Sequence, residues 1–582
     1  MNRNDTKTRR PVLRVIALAL AMTLVLSGCT DIRRLILSRL RGSDGDMVPF
    51  GRMVYQRPDM DALEELFTSA TDFAQTASAK DGDALTRQLN ECWDAYDGFY
   101  TMETLAELHA DIDQTDEKWA DEYDFCQGSE VKIEAWLDQL LTACAASRAP
   151  VSRNLLAGYD QRTDLRYSAR ALELKDRENS LLRDYYRVMQ LDEIELNGKT
   201  VSYLDTISDP AISDEDYRAA QLAYYRACNA AAAPIYIDLI KTRRELAAEL
   251  GFDSYEAYQF AVFGRDYTPE QVRAYLDDVA GMAADYYRSF MAMDPASLIS
   301  YGSLSQRKLV NLLGDATAEM GKTVTDAYAF MTQYDLYDVA ASVKKAPGAY
   351  TVYLDSYDAP FCYVGAYGDV EDFLDFAHEF GHFVDAYHNY NTTTSLDLSE
   401  TYSQALANLA LLKSRELLSD GGYRDLLLIH LQSNLAIYAE QSAYADFESR
   451  VFALPDGELT VENLNALALE CSLRFGADAT AGAEDCPYYW TQVTHLFDYP
   501  FYVISYCVSA DAAVQILERE MENPGDGAAI YDALLDWKED AFLSELERVG
   551  LESPFAPGRA DHNLALVESI MRTELSDLPN AA

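Results

Sequence analysis

Two histidines and a glutamate stand close together in the second half of the chain. Residues 378–382 read His-Glu-Phe-Gly-His, and the apolar residues around them recur at helical spacing. On a helix His378 and His382 lie one turn apart on one face, where both imidazoles can bind one Zn²⁺ ion with Glu379 beside it. The alternative is a surface helix with two structural histidines. We predict His378 and His382 as ligands of one zinc ion per chain, and Glu379 as the general base.

A catalytic zinc ion needs a third protein ligand and one open position. Glu400 follows His378 by 22 residues (378 to 400), which allows one helix to end, a polar loop at 389–394 to turn and a second helix to return. We therefore predict Glu400 as the third ligand, against the alternative of a first-turn glutamate favoured by the helix dipole. Gln404, one turn later, is placed to orient Glu400 or a histidine. The competing ligand candidates are Asp397 and His388.

The surrounding pattern predicts a mainly α fold with a small β-sheet next to the HExxH helix. Apolar spacing indicates helices from residue 53 to about residue 189, and again from Asp214 onward. Asn197-Gly198 is a hairpin turn signal. Helix boundaries are indicated by capping residues, namely Ser213, Thr268 with Gln271, and Gly251. The best strand candidates are 350–354 and 359–367.

The strand predicted at 359–367 also offers a way to bind peptide. An exposed edge there could pair with an extended peptide through main-chain hydrogen bonds, with little side-chain preference. The alternative is an internal strand of the small sheet.

These residues carry a family resemblance. The sequence HEFGH, followed by a helix with Glu-x-x-Ser-Gln, resembles the M3 family of zinc metallopeptidases, the oligoendopeptidase F and thimet oligopeptidase group, here in a bacterial lipoprotein form. The likeness covers roughly 200–570 and includes further similar segments, namely 242–252, 265–270, 348–350, 359–367 and 490–513. It implies two helical lobes around a deep central cleft, and short peptides as substrates.

The resemblance also implies donors for the anionic oxygen that forms on the attacked carbonyl. His495 and Tyr506 are the main candidates, and Tyr502 and Tyr499 follow them. A phenol O–H or an imidazole N–H can donate to such an oxygen. For any one of the 40 tyrosines the alternative is core packing.

The first 28 residues predict a secretory signal peptide. Arg9, Arg10 and Arg14 precede an apolar run at 15–26, which is too short to span a bilayer. Leu-Ser-Gly-Cys29 resembles a bacterial lipobox, which implies cleavage before Cys29 and a lipid on its sulfur; the alternative is an ordinary signal with an incidental cysteine. We expect an extracytoplasmic protein of the cell envelope, attached to the membrane by its lipid only. The predicted domains are a signal peptide at 1–28, a lipid-anchored tether at 29–52, an N-terminal helical lobe at 53–200 and the zinc peptidase region at 201–575.

Composition excludes some partners and leaves three functions to weigh. With 48 basic and 96 acidic residues the net charge is −48, which argues against nucleic acid as a partner. We predict zinc-dependent hydrolysis of internal bonds in oligopeptides outside the cytoplasm, with Glu379 taking the proton of the attacking water. The alternatives are a metallo-exopeptidase of carboxypeptidase or dipeptidase type, and a lipid-anchored peptide-binding protein without turnover. Nine cysteines include no CxxC pair, and buried free thiols are the commoner case in a chain of this size.

Overall fold

A computed structural model describes residues 47–151, 168–209, 211–291, 304–393, 395–476, 485–539 and 541–577. The predicted signal peptide, Cys29 and the part of the tether before residue 47 lie outside the described residues. The structure is 72% helical with a small sheet, which confirms the predicted mainly α fold. No helix of these ranges is long and apolar enough to cross a membrane.

The helices and strands follow one another along the chain with the following bounds. The α-helices are α1 (Met60–Thr76), α2 (Gly82–Ile112), α3 (Glu117–Ala146), α4 (Ala169–Val188), α5 (Tyr203–Ile207), α6 (Asp214–Glu249), α7 (Tyr255–Val262), α8 (Pro269–Met291), α9 (Gln306–Thr317), α10 (Lys322–Gln333), α11 (Asp372–Asn389), α12 (Leu396–Leu417), α13 (Asp420–Ala436), α14 (Ser442–Val451), α15 (Val461–Arg474), α16 (Cys486–Tyr489), α17 (Thr494–Asp498), α18 (Val503–Glu522), α19 (Asp526–Leu535), α20 (Phe542–Val549) and α21 (Arg559–Asp577). The strands are β1 (Glu193–Leu196), β2 (Lys199–Ser202), β3 (Tyr337–Asp338), β4 (Ala349–Leu354) and β5 (Ala359–Val364).

The chain divides into two compact units, each built from two stretches of sequence. One unit, here the amino-terminal unit, contains the described residues of 47–151 and 304–393. In it α1, α2 and α3 pack against one another around an apolar core that includes Phe67, Leu89 and Leu137. Helix α11 packs against β4 and β5, and against α9 and α10.

The three-stranded sheet of this unit has the order β3-β5-β4. Strand β5 pairs in parallel with β3 and in antiparallel with β4, in a register that places Tyr350 opposite Tyr363. Every residue of β5 is buried, and the strand ends at Val364 rather than at Tyr367. The expectation of an exposed edge at 359–367 is therefore wrong, and β3 and β4 are the strands with an edge that no other described strand covers.

The other unit, here the carboxyl-terminal unit, contains the described residues of 168–291 and 395–577. Helices α12 and α18 pack along each other, and α4 packs against α6. Strands β1 and β2 form the predicted hairpin. Asn197 and Gly198 take positive φ angles of 52° and 73° at its turn, as a two-residue type I′ turn requires.

Local boundary signals predicted the helix ends of this unit correctly. Ser213 Oγ accepts a hydrogen bond from the backbone N–H of Asp216 at 3.1 Å at the start of α6. Thr268 and Gln271 form the reciprocal capping box that begins α8, with bonds of 3.3 and 2.9 Å. Gly251 follows α6 at φ 85°.

Seven cysteines in the two units are buried free thiols, as expected for a chain of this size. They are Cys92, Cys126, Cys144, Cys228, Cys362, Cys471 and Cys507.

Candidate metal centre and active site

Helix α11 carries the HExxH residues and is held at its start by one carboxylate. Asp372 accepts hydrogen bonds from the backbone N–H groups of Tyr367, Gly368 and Asp369, at 2.8, 2.7 and 3.1 Å. These three donors belong to the loop that enters the helix, so the carboxylate orders that loop against the first turn. Phe376, among other apolar residues of α11, is fully buried. Capping and burial together set the direction in which the opposite helix face points.

The two predicted histidine ligands project side by side from that face. The ring centroids of His378 and His382 lie 5.0 Å apart, with the ring planes near perpendicular. Burial lowers the pKa of His378 to about 4 and lowers the pKa of His382 well below its usual range. Both imidazoles are therefore neutral near pH 7, the protonation state in which a ring nitrogen can bind a metal ion.

Glu400, the predicted third ligand, and Asp397, its competitor, both lie in α12 of the carboxyl-terminal unit. The other competitor, His388, lies in the last turn of α11. Two neutral imidazoles and a carboxylate are a donor set that fits zinc.

The Glu400 carboxylate is buried in the first turns of α12 and is oriented by two hydroxyl groups. Tyr502 Oη donates to Oε1 at 2.5 Å, and Ser403 Oγ lies 3.3 Å from Oε2. Burial raises the pKa of Glu400 to about 7, although both hydrogen bonds act in the opposite direction. A cation beside this carboxylate would compensate for the lost hydration of its charged form.

Gln404 does not have the predicted contact with Glu400 or a histidine. Its side-chain amide donates to Ser509 Oγ at 2.9 Å and to the Tyr506 carbonyl at 3.3 Å. Both acceptors belong to α18, so Gln404 joins α12 to α18. The prediction was wrong because Ser509 and the Tyr506 carbonyl on the neighbouring helix α18 accept the amide hydrogens of Gln404.

The predicted general base, Glu379, is buried and contacts a threonine that sequence reasoning missed. Thr351 Oγ1 lies 2.9 Å from Glu379 Oε2 and 2.8 Å from the Glu379 carbonyl oxygen. Its single hydrogen is shared between these two acceptors. Thr351 is on β4, so a strand with an uncovered edge also orients the base. A hydroxyl residue in the predicted strand 350–354 was the only available signal.

The predicted donors form one aromatic cluster in the carboxyl-terminal unit. The rings of His495, Tyr502 and Tyr506 have centroid separations of 5.2–5.8 Å, and Tyr499 lies 6.0 Å from His495 and from Tyr502. Tyr506 Oη is 3.3 Å from His495 Nε2. Burial lowers the pKa of His495 to about 4, so the ring is neutral near pH 7. Tyr502 Oη donates to Glu400, whereas Tyr506 Oη contacts His495, so the two hydroxyls have different partners.

Comparisons with known proteins agree with this fold. Residues 50–151 match the family model of the peptidase M3 N-terminal domain. Among solved structures, "PZ peptidase A with inhibitor 2" is similar at a TM-score of 0.68 and 20% identity, covering 90% of this chain and 99% of that one. A putative oligoendopeptidase F from Bacillus anthracis str. Ames is similar at a TM-score of 0.65 and 20% identity, covering 91% and 99%.

A third solved structure, of another putative oligoendopeptidase F, has a TM-score of 0.68 at 21% identity and covers 90% and 99% of the two chains. A search of curated proteins found no match. At these identities the structural likeness shows the fold. The domain match over residues 50–151 and this likeness in fold both agree with the resemblance to M3 peptidases seen in the motifs.

Proposed function

We propose that this protein is a zinc endopeptidase that cleaves internal bonds of short, extended peptides outside the cytoplasm. One observation carries the proposal: the rings of His378 and His382 lie side by side on α11, 5.0 Å apart between centroids, and the residue after His378 is a buried glutamate. Zinc bound there would supply Lewis-acid activation of water and of the substrate carbonyl.

The chain's own residues would perform the proton transfers. Glu379 takes a proton from the attacking water and returns it to the leaving amine, as a general base and then a general acid. The Thr351 hydroxyl is hydrogen-bonded to Glu379 Oε2, which limits the orientations of the Glu379 carboxylate. Tyr506 and His495 would donate hydrogen bonds to the oxygen that becomes negatively charged. Tyr502 serves chiefly to orient Glu400, because its hydroxyl hydrogen is directed at Oε1.

Strand β4 would bind the peptide. Its outer edge is not paired with another described strand, and it carries Thr351 beside the base. An extended peptide added along this edge gains main-chain hydrogen bonds with little sequence preference. Such binding needs an unfolded segment of substrate, which supports short peptides as substrates.

The location is a proposal that rests on the sequence at 15–29. The apolar run ending in Leu-Ser-Gly-Cys29 supports export and lipid attachment. The test is fractionation of cells that express the full chain. Wild-type protein is expected in the membrane fraction and Cys29→Ser in the soluble extracytoplasmic fraction; wild-type protein in the soluble fraction would contradict the lipid anchor.

The activity is tested on protein that begins after Cys29. Bound metal is quantified, and peptides of about 5–20 residues are incubated with and without a chelator, with cleavage positions read by mass spectrometry. We expect one zinc per chain and internal cuts that chelation abolishes. Trimming from one end only would show an exopeptidase, and stoichiometric zinc without cleavage would show a binding protein.

Three variants separate the base from the ligands. Glu379→Gln should keep zinc and lose hydrolysis, because an amide cannot accept the proton. Glu400→Gln should lose zinc. Glu371→Gln, at an exposed glutamate immediately before α11, is the matched control and should retain both zinc and hydrolysis. Wild-type turnover in Glu379→Gln would show that Glu379 is not the general base.

A further inference from the structure

The residue before Tyr502 has an unusual backbone conformation. Phe501 has a φ angle of 66°, in the left-handed region that bulky side chains rarely adopt, because Cβ approaches the backbone carbonyl. Its ring is buried and lies 5.1 Å from the ring of Phe452. Such a conformation persists when surrounding contacts hold it, and it occurs most often at functional sites.

Both polar groups of the Phe501 backbone are hydrogen-bonded to side chains. Its N–H donates to Glu448 Oε1 at 2.9 Å, and its carbonyl accepts from Arg265 Nη2 at 2.5 Å. Arg265 Nη2 also donates to Ser505 Oγ at 2.9 Å, in the first turn of α18. Arg265, Glu448, Phe501 and Ser505 are here called the Phe501 clamp. One guanidinium group therefore holds the strained residue and the first turn of the helix after it.

Arg265 is itself fixed in place. Its guanidinium lies 4.6, 5.1 and 5.5 Å from the ring centroids of Phe260, Phe263 and Tyr267. The buried carboxylate of Asp397 attracts it electrostatically, and Tyr267 Oη lies 3.2 Å from that carboxylate. An anchored arginine can hold a strained backbone, whereas a mobile one could not.

The clamp lies directly next to the aromatic cluster. Tyr502 follows Phe501 and donates to Glu400, and Tyr506 follows Ser505 and lies 3.3 Å from His495. The φ angle at Phe501 sets the direction in which the chain enters α18, and so the direction of both tyrosine hydroxyls. A fully extended or right-handed residue at 501 would rotate this turn.

We propose that Arg265 is a positioning residue for the reaction: through Phe501 and Ser505 it directs Tyr502 toward Glu400 and Tyr506 toward the reacting carbonyl. The inference rests on the proposed function for the role of the two tyrosines. The hydrogen-bonded clamp itself does not depend on that function, so the two can be tested separately.

The test compares Arg265→Met with a matched arginine of the same unit. Arg548 also donates to a backbone carbonyl, that of Ala533 at 2.6 Å, and pairs with Glu545. Arg548→Met therefore removes the same kind of contact at the end of α19, away from the aromatic cluster. Arg265→Lys keeps the positive charge and one hydrogen-bond donor but lacks the planar guanidinium group. It replaces Arg265→Met in the test if that variant does not fold.

Two readouts are measured on each purified, zinc-quantified protein. The first is kcat and KM on a peptide that the wild type cleaves. The second is amide hydrogen exchange by mass spectrometry over 499–506, which does not depend on turnover. We expect Arg265→Met to lower kcat about 10- to 100-fold with a smaller change in KM, because misplacement of about 1 Å has that effect. In Arg265→Met zinc should remain bound and amide exchange over 499–506 should accelerate. Arg265→Lys should have a kcat and an exchange rate between those of Arg265→Met and the wild type.

Arg548→Met is expected to accelerate exchange around residue 533 and to leave kcat unchanged. Equal losses of kcat in Arg265→Met and Arg548→Met would overturn the proposal, because general destabilisation would explain both. Wild-type exchange over 499–506 in Arg265→Met would also overturn it. If the wild type cleaves no peptide, the proposed function fails, while the exchange comparison still decides whether Arg265 holds this segment.

Discussion

Thr351 Oγ1 lies 2.9 Å from Glu379 Oε2, and so connects an edge strand to the glutamate of the HExxH helix across 28 residues of sequence. In the proposed function, this contact joins two roles that are separate along the chain: β4 would offer main-chain groups to an extended peptide, and Glu379 would exchange protons with water. Both are placed by one strand, so a substrate on β4 would meet a base already held in orientation.

Removal of the Thr351 hydroxyl should impair catalysis without removing metal. Thr351→Val keeps the shape of the side chain but cannot donate to Glu379, so we expect kcat to fall about tenfold, the effect of one hydrogen bond to a charged group. Zinc content should remain at the wild-type level. Thr351→Ser restores the donor and should recover most of kcat. Equal kcat in Thr351→Val and wild type would exclude the orienting role.

Tyr506→Phe should lower kcat by roughly 10²–10³, by analogy with removal of one oxyanion donor elsewhere. The phenol that lies 3.3 Å from His495 is lost, while the ring packing remains. KM and bound zinc should change little, because Tyr506 is proposed to act chiefly on the transition state. The measurement is steady-state kinetics with metal quantification. An unchanged kcat would show that Tyr506 is not an oxyanion donor.

Tyr502→Phe should have a different signature. It deletes the 2.5 Å hydrogen bond to Glu400 Oε1, so the predicted ligand loses an orienting partner. We expect zinc affinity to fall about 10- to 100-fold, as is typical when a group that orients a ligand is removed. Competition with a calibrated chelator measures this affinity. Tyr506→Phe is the control and should retain wild-type affinity; the reverse order of affinities would contradict the assignment.

Gly365 should not tolerate a side chain. It follows β5, and a Cβ atom there would clash with the Ala346 carbonyl oxygen and lie 3.0 Å from the Gly348 carbonyl oxygen, so the backbone would have to move. We expect Gly365→Ala to lower the free energy of unfolding by about 1–3 kcal/mol. Gly128 in α3 has nothing within 4 Å of its added Cβ, and Gly128→Ala should raise stability by about 0.5–1 kcal/mol. Urea unfolding measures both, and equal effects would contradict the crowding at Gly365.

His430 should make stability depend on pH. Burial lowers its pKa to about 4 in the folded chain, below the usual value near 6.5. Between these values the unfolded chain binds a proton that the folded chain does not, so stability falls as pH decreases from about 6.5 to about 4. At pH 5 this group should cost about 2 kcal/mol relative to pH 7.

The test of His430 compares urea unfolding of metal-free wild type and His430→Gln at both pH values. The glutamine can still donate toward Asn408, the partner of the histidine ring. The variant should lose about 2 kcal/mol less than wild type on acidification. Parallel losses would show that His430 does not titrate as described.

Several elements of this protein were predictable because their determinants are local. The spacing of His378 and His382 places both rings on one helix face in any helix. Asn197-Gly198 specifies a tight turn, and Thr268 with Gln271 specifies a helix start, because each motif satisfies its own backbone groups within four residues. Burial of an amphipathic face then requires a helical fold without specifying how the helices are arranged.

The partners of the site residues could not be predicted, because they are distant in sequence. The pairing order β3-β5-β4 puts the strand expected at the edge into the middle of the sheet. Gln404 faces α18 and does not contact the predicted ligand Glu400 one turn away. Arg265 reaches Phe501 across 236 residues, and the left-handed backbone there has no signal in an aromatic residue type.

The sequence by itself therefore determined the chemistry that this chain offers: two imidazoles and a glutamate at helical spacing, a second glutamate 22 residues after the first histidine, and a histidine and tyrosines near residue 500. Only the tertiary structure decided which groups orient these residues. Thr351 contacts Glu379, Tyr502 contacts Glu400, and Arg265 holds the Phe501 backbone next to Tyr502. The physical reason is that residue type and spacing set local geometry and donor chemistry, whereas orientation depends on packing between segments far apart in the chain.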